Sequence, residues 1–168
     1  MFKKLILAVL LALPMTAFAQ KLGTVEIETV FTLMPETKEM QTKLDDATKQ
    51  YETAFQALTE ELDKLFKDYQ TIANDNTVLD TIKERRIQEI QERQQNAEKF
   101  RATAQQDLAR QQQQLSAPIF QKLNEAIASV GKEGNFSLIL PKNPELTLYC
   151  GSDVTDVTPL VKAKLGIK

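Results

Sequence analysis

The chain has 168 residues, 21 Lys plus Arg against 23 Asp plus Glu, and a formal net charge of −2 with no histidine. That balance argues against nucleic acid and against tight binding to an anionic membrane surface, both of which take a basic face. With no His, no Trp and one Cys, imidazole base catalysis, Ser-His-Asp or Cys-His arrangements and imidazole zinc sites are excluded.

Residues 1–19 read as a secretory signal. Lys3 and Lys4 supply a positive start, residues 5–13 a short apolar run, and Pro14 its break; Ala17 and Ala19 are the small residues a signal peptidase reads. The run is too short for a membrane span. Cleavage after Ala19 would leave an exported chain starting at Gln20, whose remaining charges sum to −4. The residue directly after that point is Gln20 and not Cys, so a lipid anchor is not expected. No later apolar run is long enough to cross a bilayer, so no stable membrane insertion is expected either.

Residues 22–27 predict a strand with Val25 and Ile27 on one face. Thr29 can cap a short helical turn carrying Val30, Phe31, Leu33 and Met34. Pro35 either ends that turn or opens the next helix. Residues 36–72 then read as one long helix. Met40, Leu44, Ala47, Tyr51, Phe55, Leu58, Leu62, Leu65, Tyr69 and Ile72 follow one another in steps of three or four. That is a narrow coiled-coil-type seam. At 1.5 Å per residue the helix is roughly 50–60 Å long.

The turn falls near 73–79, where Asn and Asp tolerate unusual backbone angles and Thr77 or Asp80 can cap the returning helix. So short a connection makes the two helices antiparallel neighbours. The return, residues 80–130, starts with a seam at Leu79, Ile82, Ile87 and Ile90. It then thins to Ala97, Phe100, Ala102 and Ala104 among many glutamines. Lys83, Arg85 and Arg86 near the tip read as a solvated face beside Glu84 and Glu89. The adjacent carboxylates Asp45-Asp46 and Glu60-Glu61 point about 100° apart on a helix and form no acid–base pair.

Pro118 predicts a kink, with Ser116 as a fresh cap. Beyond it Ile119, Phe120, Leu123, Ala126, Ile127 and Val130 make a broad apolar face, and the stretch 131–134 ends the helix. Two strands are expected at 136–140 and 145–150. Phe136, Leu138 and Leu140 share one face, and Leu146, Leu148 and Cys150 share another. Cys150 is expected to be buried in its strand, the alternative being pairing between chains. The tail carries Val157, Leu160, Val161 and Leu165 at helical spacing, capped by Thr155 or by Thr158 with Pro159 behind it. The fold class is thus α+β, mostly α: a long helical hairpin on a small β base. So few strands cannot cover their own apolar residues, which predicts an oligomer whose sheets complete each other.

The ordered set resembles the Skp or OmpH-like family of periplasmic chaperones. The resemblance is carried by residues 21–27, Val30-Phe31 and Met34-Pro35-Glu36 at one end. At the other it is carried by Pro118-Ile119, Lys122, Ala126-Ile127, Val130, the 136–140 strand and Asp153-Val154-Thr155-Asp156. It implies a jellyfish-shaped homotrimer. Residues 20–35 and 119–168 of three chains would build an intersubunit barrel, and 36–118 would hang from it as an arm. Trimer-base residues would be Val25, Ile27, Phe31, Ile119, Leu123, Ile127, Phe136, Leu138, Leu140, Leu146 and Leu148. It also implies an ATP-independent holdase, free of cofactors and non-enzymatic, that keeps unfolded outer-membrane β-barrel proteins from aggregating in the periplasm. The alternative is a structural or adaptor coiled-coil protein of the cell envelope. Candidate client contacts are Tyr51, Phe55, Phe66, Tyr69 and Phe100. Most of these also fit the intrahairpin seam, and Phe66 lies off it. The family's known members are strongly basic whereas this chain is acidic, so lipopolysaccharide binding is not carried over.

Overall fold

The structure is a computed structural model that describes residues 20–143, 147 and 149–167. The elements in order are β1 (Lys21–Val25), α1 (Ile27–Leu33), α2 (Pro35–Ala73), α3 (Asp80–Glu133), β2 (Phe136–Pro141), β3 (Thr155–Asp156) and α4 (Thr158–Lys164). They divide into two compact units, residues 28–125 and residues 20–27 with 126–166. The expected signal segment 1–19, Leu146 and Leu148 lie outside the described residues.

In the first unit α2 and α3 run antiparallel. Glu36 pairs with Lys122, Tyr51 hydrogen-bonds Asp107, and Glu61 pairs with Arg93, so partners descend on α3 as they rise on α2. At 1.5 Å per residue α2 is about 58 Å long. Met34 precedes it in extended conformation with Pro35 in the first turn, where the missing N–H costs nothing. The Thr37 hydroxyl donates to the Phe31 carbonyl at 2.6 Å and ties the turn to α1. Thr29, expected as a cap, sits inside α1.

The α2 seam is as the spacing predicts. Met40 is buried, and every other seam residue from Leu44 to Ile72 is half-buried. The α3 seam differs near the tip. Only Ile90 of the expected four is buried, while Leu79, Ile82 and Ile87 are exposed. The half-buried positions there are Lys83, Arg86 and Glu89, so aliphatic stems cover the seam with their charged ends in water. Neither Thr77 nor Asp80 caps α3. Asp75 organises the turn instead, accepting the Thr77 amide at 2.8 Å and the Thr77 hydroxyl at 2.6 Å. Helix α3 runs through Pro118 without ending, and the proline side chain is exposed. The Ser116 hydroxyl bonds back to the Gln113 carbonyl at 3.2 Å rather than capping a new helix.

The second unit is a three-stranded parallel sheet in the order β2-β1-β3. Leu22 stands opposite Leu138, Gly23 opposite Ile139 and Thr155, and Thr24 opposite Leu140 and Asp156. Parallel strands need a long crossover, and the whole helical hairpin is that connection between β1 and β2. Strand β1 stops at Val25, so Ile27 is the first residue of α1 and not a strand residue beside Val25. Helix α3 continues through Gly131 to Glu133, and Asn135 takes the left-handed turn, with φ 52°. A Cβ at Gly134 would meet the Phe136 ring at 2.5 Å, which fixes glycine there.

Of the expected 145–150 strand, residues 145, 146 and 148 lie outside the described residues. Thr147, Tyr149 and Cys150 are not in a strand, and the sheet's third member is Thr155–Asp156. Pro141 ends β2 without an amide to donate. The Thr147 amide then turns back onto the Asn143 carbonyl at 2.7 Å. Cys150 is exposed, contrary to the expected burial. Val157 precedes α4, so neither Thr155 nor Thr158 is its cap. Asp156 accepts the Thr158 amide at 2.9 Å in that role. Val25, Val157 and Val161 are fully buried and form the centre of this unit with Ala126 and Val130.

Candidate functional site

The middle of the helical hairpin is built from small residues. Ala97 and Ala104 of α3 are buried, and α2 contributes Ala47 and Ala54 nearby. Methyl groups pair helices closely but fill little space beside the seam. The space left is a groove of about 510 Å³. The rings of Tyr51 and Phe100 line it, with centroids 6.0 Å apart and planes at 63°, an edge-on pair. Lys43, Asp46, Gln50 and Gln111 supply its polar border.

Tyr51 is held in place from the return helix. Its hydroxyl donates to Asp107 Oδ2 at 3.1 Å, and Arg110, one turn on, holds Asp107 Oδ1 at 2.6 Å. The hydrogen bond to the Asp107 carboxylate, then desolvation, then that carboxylate's charge push the Tyr51 phenol above its ordinary value. One aromatic side of the groove is therefore fixed before anything enters it.

A smaller groove of about 270 Å³ lies nearer the Glu36–Lys122 pair, with Met40, Leu115, Pro118 and Ile119 along it. The hydrogen bond from Lys122 holds the Glu36 carboxyl below its usual range, helped by the residue's own amide and opposed by burial. Glu36 Oε2 is buried without a hydrogen-bond partner.

Of the candidate client contacts, Phe66 is 49% exposed, while Tyr51, Phe55, Tyr69 and Phe100 are half-buried. The geometry brings Tyr51 and Phe100 together and separates neither from the seam. Periodicity did not signal the exposed tip residues Leu79 (68%) and Ile82 (50%), because both fit a three–four seam. The clue to the groove was present as alanines at seam positions, where a packed hairpin would carry leucine.

In the sheet unit, Val25 is buried and Ile27, Ile127 and Phe136 are half-buried. Leu138 and Leu140 are 49% and 51% exposed, and Leu22 stands beside Leu138 in register. This apolar strand face borders a hollow of about 260 Å³ that also takes in Tyr149, Cys150 and Val154. In the hairpin unit, Ile119 and Leu123 are buried, and Phe31 stacks on the exposed Phe120 with centroids 4.6 Å apart.

Among the described residues no three His, Cys, Asp or Glu side chains converge as a metal site, and no helix is long and apolar enough to cross a membrane. No curated protein matches the chain. The sequence model of one family, described as outer membrane protein (OmpH-like), matches residues 21–165. That match covers nearly all of the described chain, and the protein belongs to this OmpH-like family.

Proposed function

We propose that the mature chain is an ATP-independent periplasmic holdase that keeps unfolded outer-membrane β-barrel proteins from aggregating. Its family is one of periplasmic chaperones without known catalysis, which supports the reading. The observation that carries it is the incomplete seam of the hairpin. Phe66, Leu79, Ile82 and Ile87 stay exposed, and a groove remains between Tyr51 and Phe100. A hairpin that leaves apolar side chains in water offers many weak contacts to an unfolded chain, and their sum gives hold without a tight pocket.

Three copies of the chain would assemble through the strand face of Leu22, Leu138 and Leu140, with residues 20–35 and 119–168 as base and 36–118 as arm. The half-exposed leucines support this, since a single chain gains nothing from leaving them in water. Export and cleavage after Ala19 would place the trimer in the periplasm.

The test is the aggregation of a urea-unfolded outer-membrane barrel, diluted with and without residues 20–168 in the absence of nucleotide. Suppression saturating at one client per three chains is expected. Undiminished turbidity at large excess would leave the envelope-spacer role in its place.

A further inference from the structure

We infer that the groove between Tyr51 and Phe100 is a subsite that takes an aromatic side chain of the client in preference to an aliphatic one. The subsite rests on the holdase reading and adds to it what the arm selects.

Four observations bear on the occupant. The groove's volume of about 510 Å³ exceeds what a single aromatic side chain fills, so a ring enters together with part of its backbone. Tyr51 and Phe100 already meet edge to face, and that corner offers a third ring both a face and an edge. Such pairs add about 0.5–1.5 kcal/mol beyond area burial, a gain an aliphatic side chain does not receive. The Asp107–Arg110 brace fixes Tyr51 in advance, so little side-chain entropy is lost on binding. Finally, the amides of Gln50 and Gln111 border the groove and can bond a phenol, an indole N–H or the peptide groups flanking the ring.

The client's chemistry matches. Transmembrane β-barrels carry girdles of aromatic residues at both membrane interfaces. An unfolded barrel thus displays rings at intervals along its chain. Several arms, or one arm repeatedly, could hold it by exchange among them.

Two measurements test this. In the first, the mature chain carrying labelled alanine methyls is titrated with N-acetyl-tyrosinamide and separately with N-acetyl-leucinamide. The tyrosine probe is expected to shift the Ala47 and Ala54 methyl resonances with about fivefold higher affinity than the leucine probe. Equal response to both, or none to either, overturns the subsite.

In the second, Ala54→Phe fills the groove from an exposed position and leaves the seam intact. Binding of an unfolded barrel is measured through the client's tryptophan fluorescence, which stands alone because this chain has no Trp. Ala54→Phe is expected to weaken binding about tenfold, and so is replacing the client's girdle Tyr and Phe by Leu. The two changes together should weaken it no further. Full additivity, or an unchanged affinity for Ala54→Phe, overturns the subsite. If the unaltered protein holds no barrel at all, the holdase reading fails, and the methyl titration still judges the groove by itself.

Discussion

The Lys142 ammonium donates to Glu26 Oε1 across 2.8 Å, joining the end of β2 to the residue that follows β1. The same ammonium stands 3.5 Å from Asp156 Oδ2 on β3. Asp156 Oδ1 takes the first amide of α4 at 2.9 Å, and the Thr158 hydroxyl accepts the Glu26 amide at 3.0 Å. Three strand ends and a helix start are thereby closed into one polar ring. The Asp-Val-Thr-Asp stretch that carried much of the family resemblance has this physical role.

Acid should open that ring. Burial opposes ionisation of Asp156, but the Thr158 hydroxyl and amide and then the Lys142 charge outweigh it and hold the carboxyl below its usual range. A depressed carboxylate stabilises the fold above its unfolded pKa of about 3.9, and that contribution is lost as pH falls through the lower folded value. Lys142 is shifted upward, chiefly by Glu26, so its contribution holds below about pH 10.4 and fades as pH rises through the folded value. Asp156→Ala is expected to cost about 1 kcal/mol at neutral pH through the lost helix cap, and less at pH 3. Urea unfolding of both proteins at pH 7 and pH 3 checks this. An equal loss at both pH values would show that the carboxylate's charge has no part in it.

Tyr51 offers a spectroscopic check on the hairpin. Its phenol lies above its ordinary value because the Asp107 carboxylate accepts its proton in a hydrogen bond. A raised phenol stabilises the folded form below the unfolded pKa of about 10, and the contribution is lost as pH rises through the folded value. The chain has three tyrosines and no tryptophan, so ultraviolet absorbance follows their ionisation directly. One of the three transitions should lag, and Asp107→Asn should move it down. A titration unchanged by Asp107→Asn would mean that α2 and α3 do not meet in this register.

Much of this architecture was written in the spacing. Steps of three and four from Met40 to Ile72 identify the buried side of α2, and every one of those side chains is at least half covered. The spacing failed where apolar residues are too few to choose a phase. At the tip, Leu79, Ile82 and Ile87 fit a seam as well as Lys83 and Arg86 do, and the stems of the charged residues took it. The third described strand, Thr155–Asp156, escaped the spacing for a different reason. Propensity favours the Leu-Thr-Leu-Tyr run, but β1's free edge pairs with two residues, Thr155 and Asp156, whose side chains predict a cap. A two-residue parallel pairing is a tertiary event with no local signature. The groove at Tyr51 was only half legible, because alanines thin a seam without revealing whether their neighbours close over them.

The proposed assembly face makes a sharp demand on Leu138. In the single chain this residue is 49% exposed, so Leu138→Asp puts its charge in water and should leave the unfolding midpoint of an isolated chain nearly unchanged. In a trimer sealed by that face the same carboxylate would be buried unpaired, a cost of several kcal/mol per copy. Light scattering should therefore report a fall from three chains to one with secondary structure retained. An unchanged mass would put the interface elsewhere.

Leu123 and Phe66 separate holding the hairpin unit together from holding a client. Leu123 is fully buried, and Leu123→Ala should cost about 2–5 kcal/mol through lost transfer energy and the cavity left behind. Phe66 is half exposed on α2, and Phe66→Ser should stay within about 0.5 kcal/mol of the unaltered stability, as surface changes do. Aggregation assays should reverse that order when run well below the unfolding temperature of both variants. Leu123→Ala, still folded, should protect an unfolded barrel nearly as well as the unaltered chain, whereas Phe66→Ser should need several times more protein for the same protection. If Phe66→Ser protects fully while remaining folded, the exposed ring belongs to the hairpin's surface and not to the surface that holds clients.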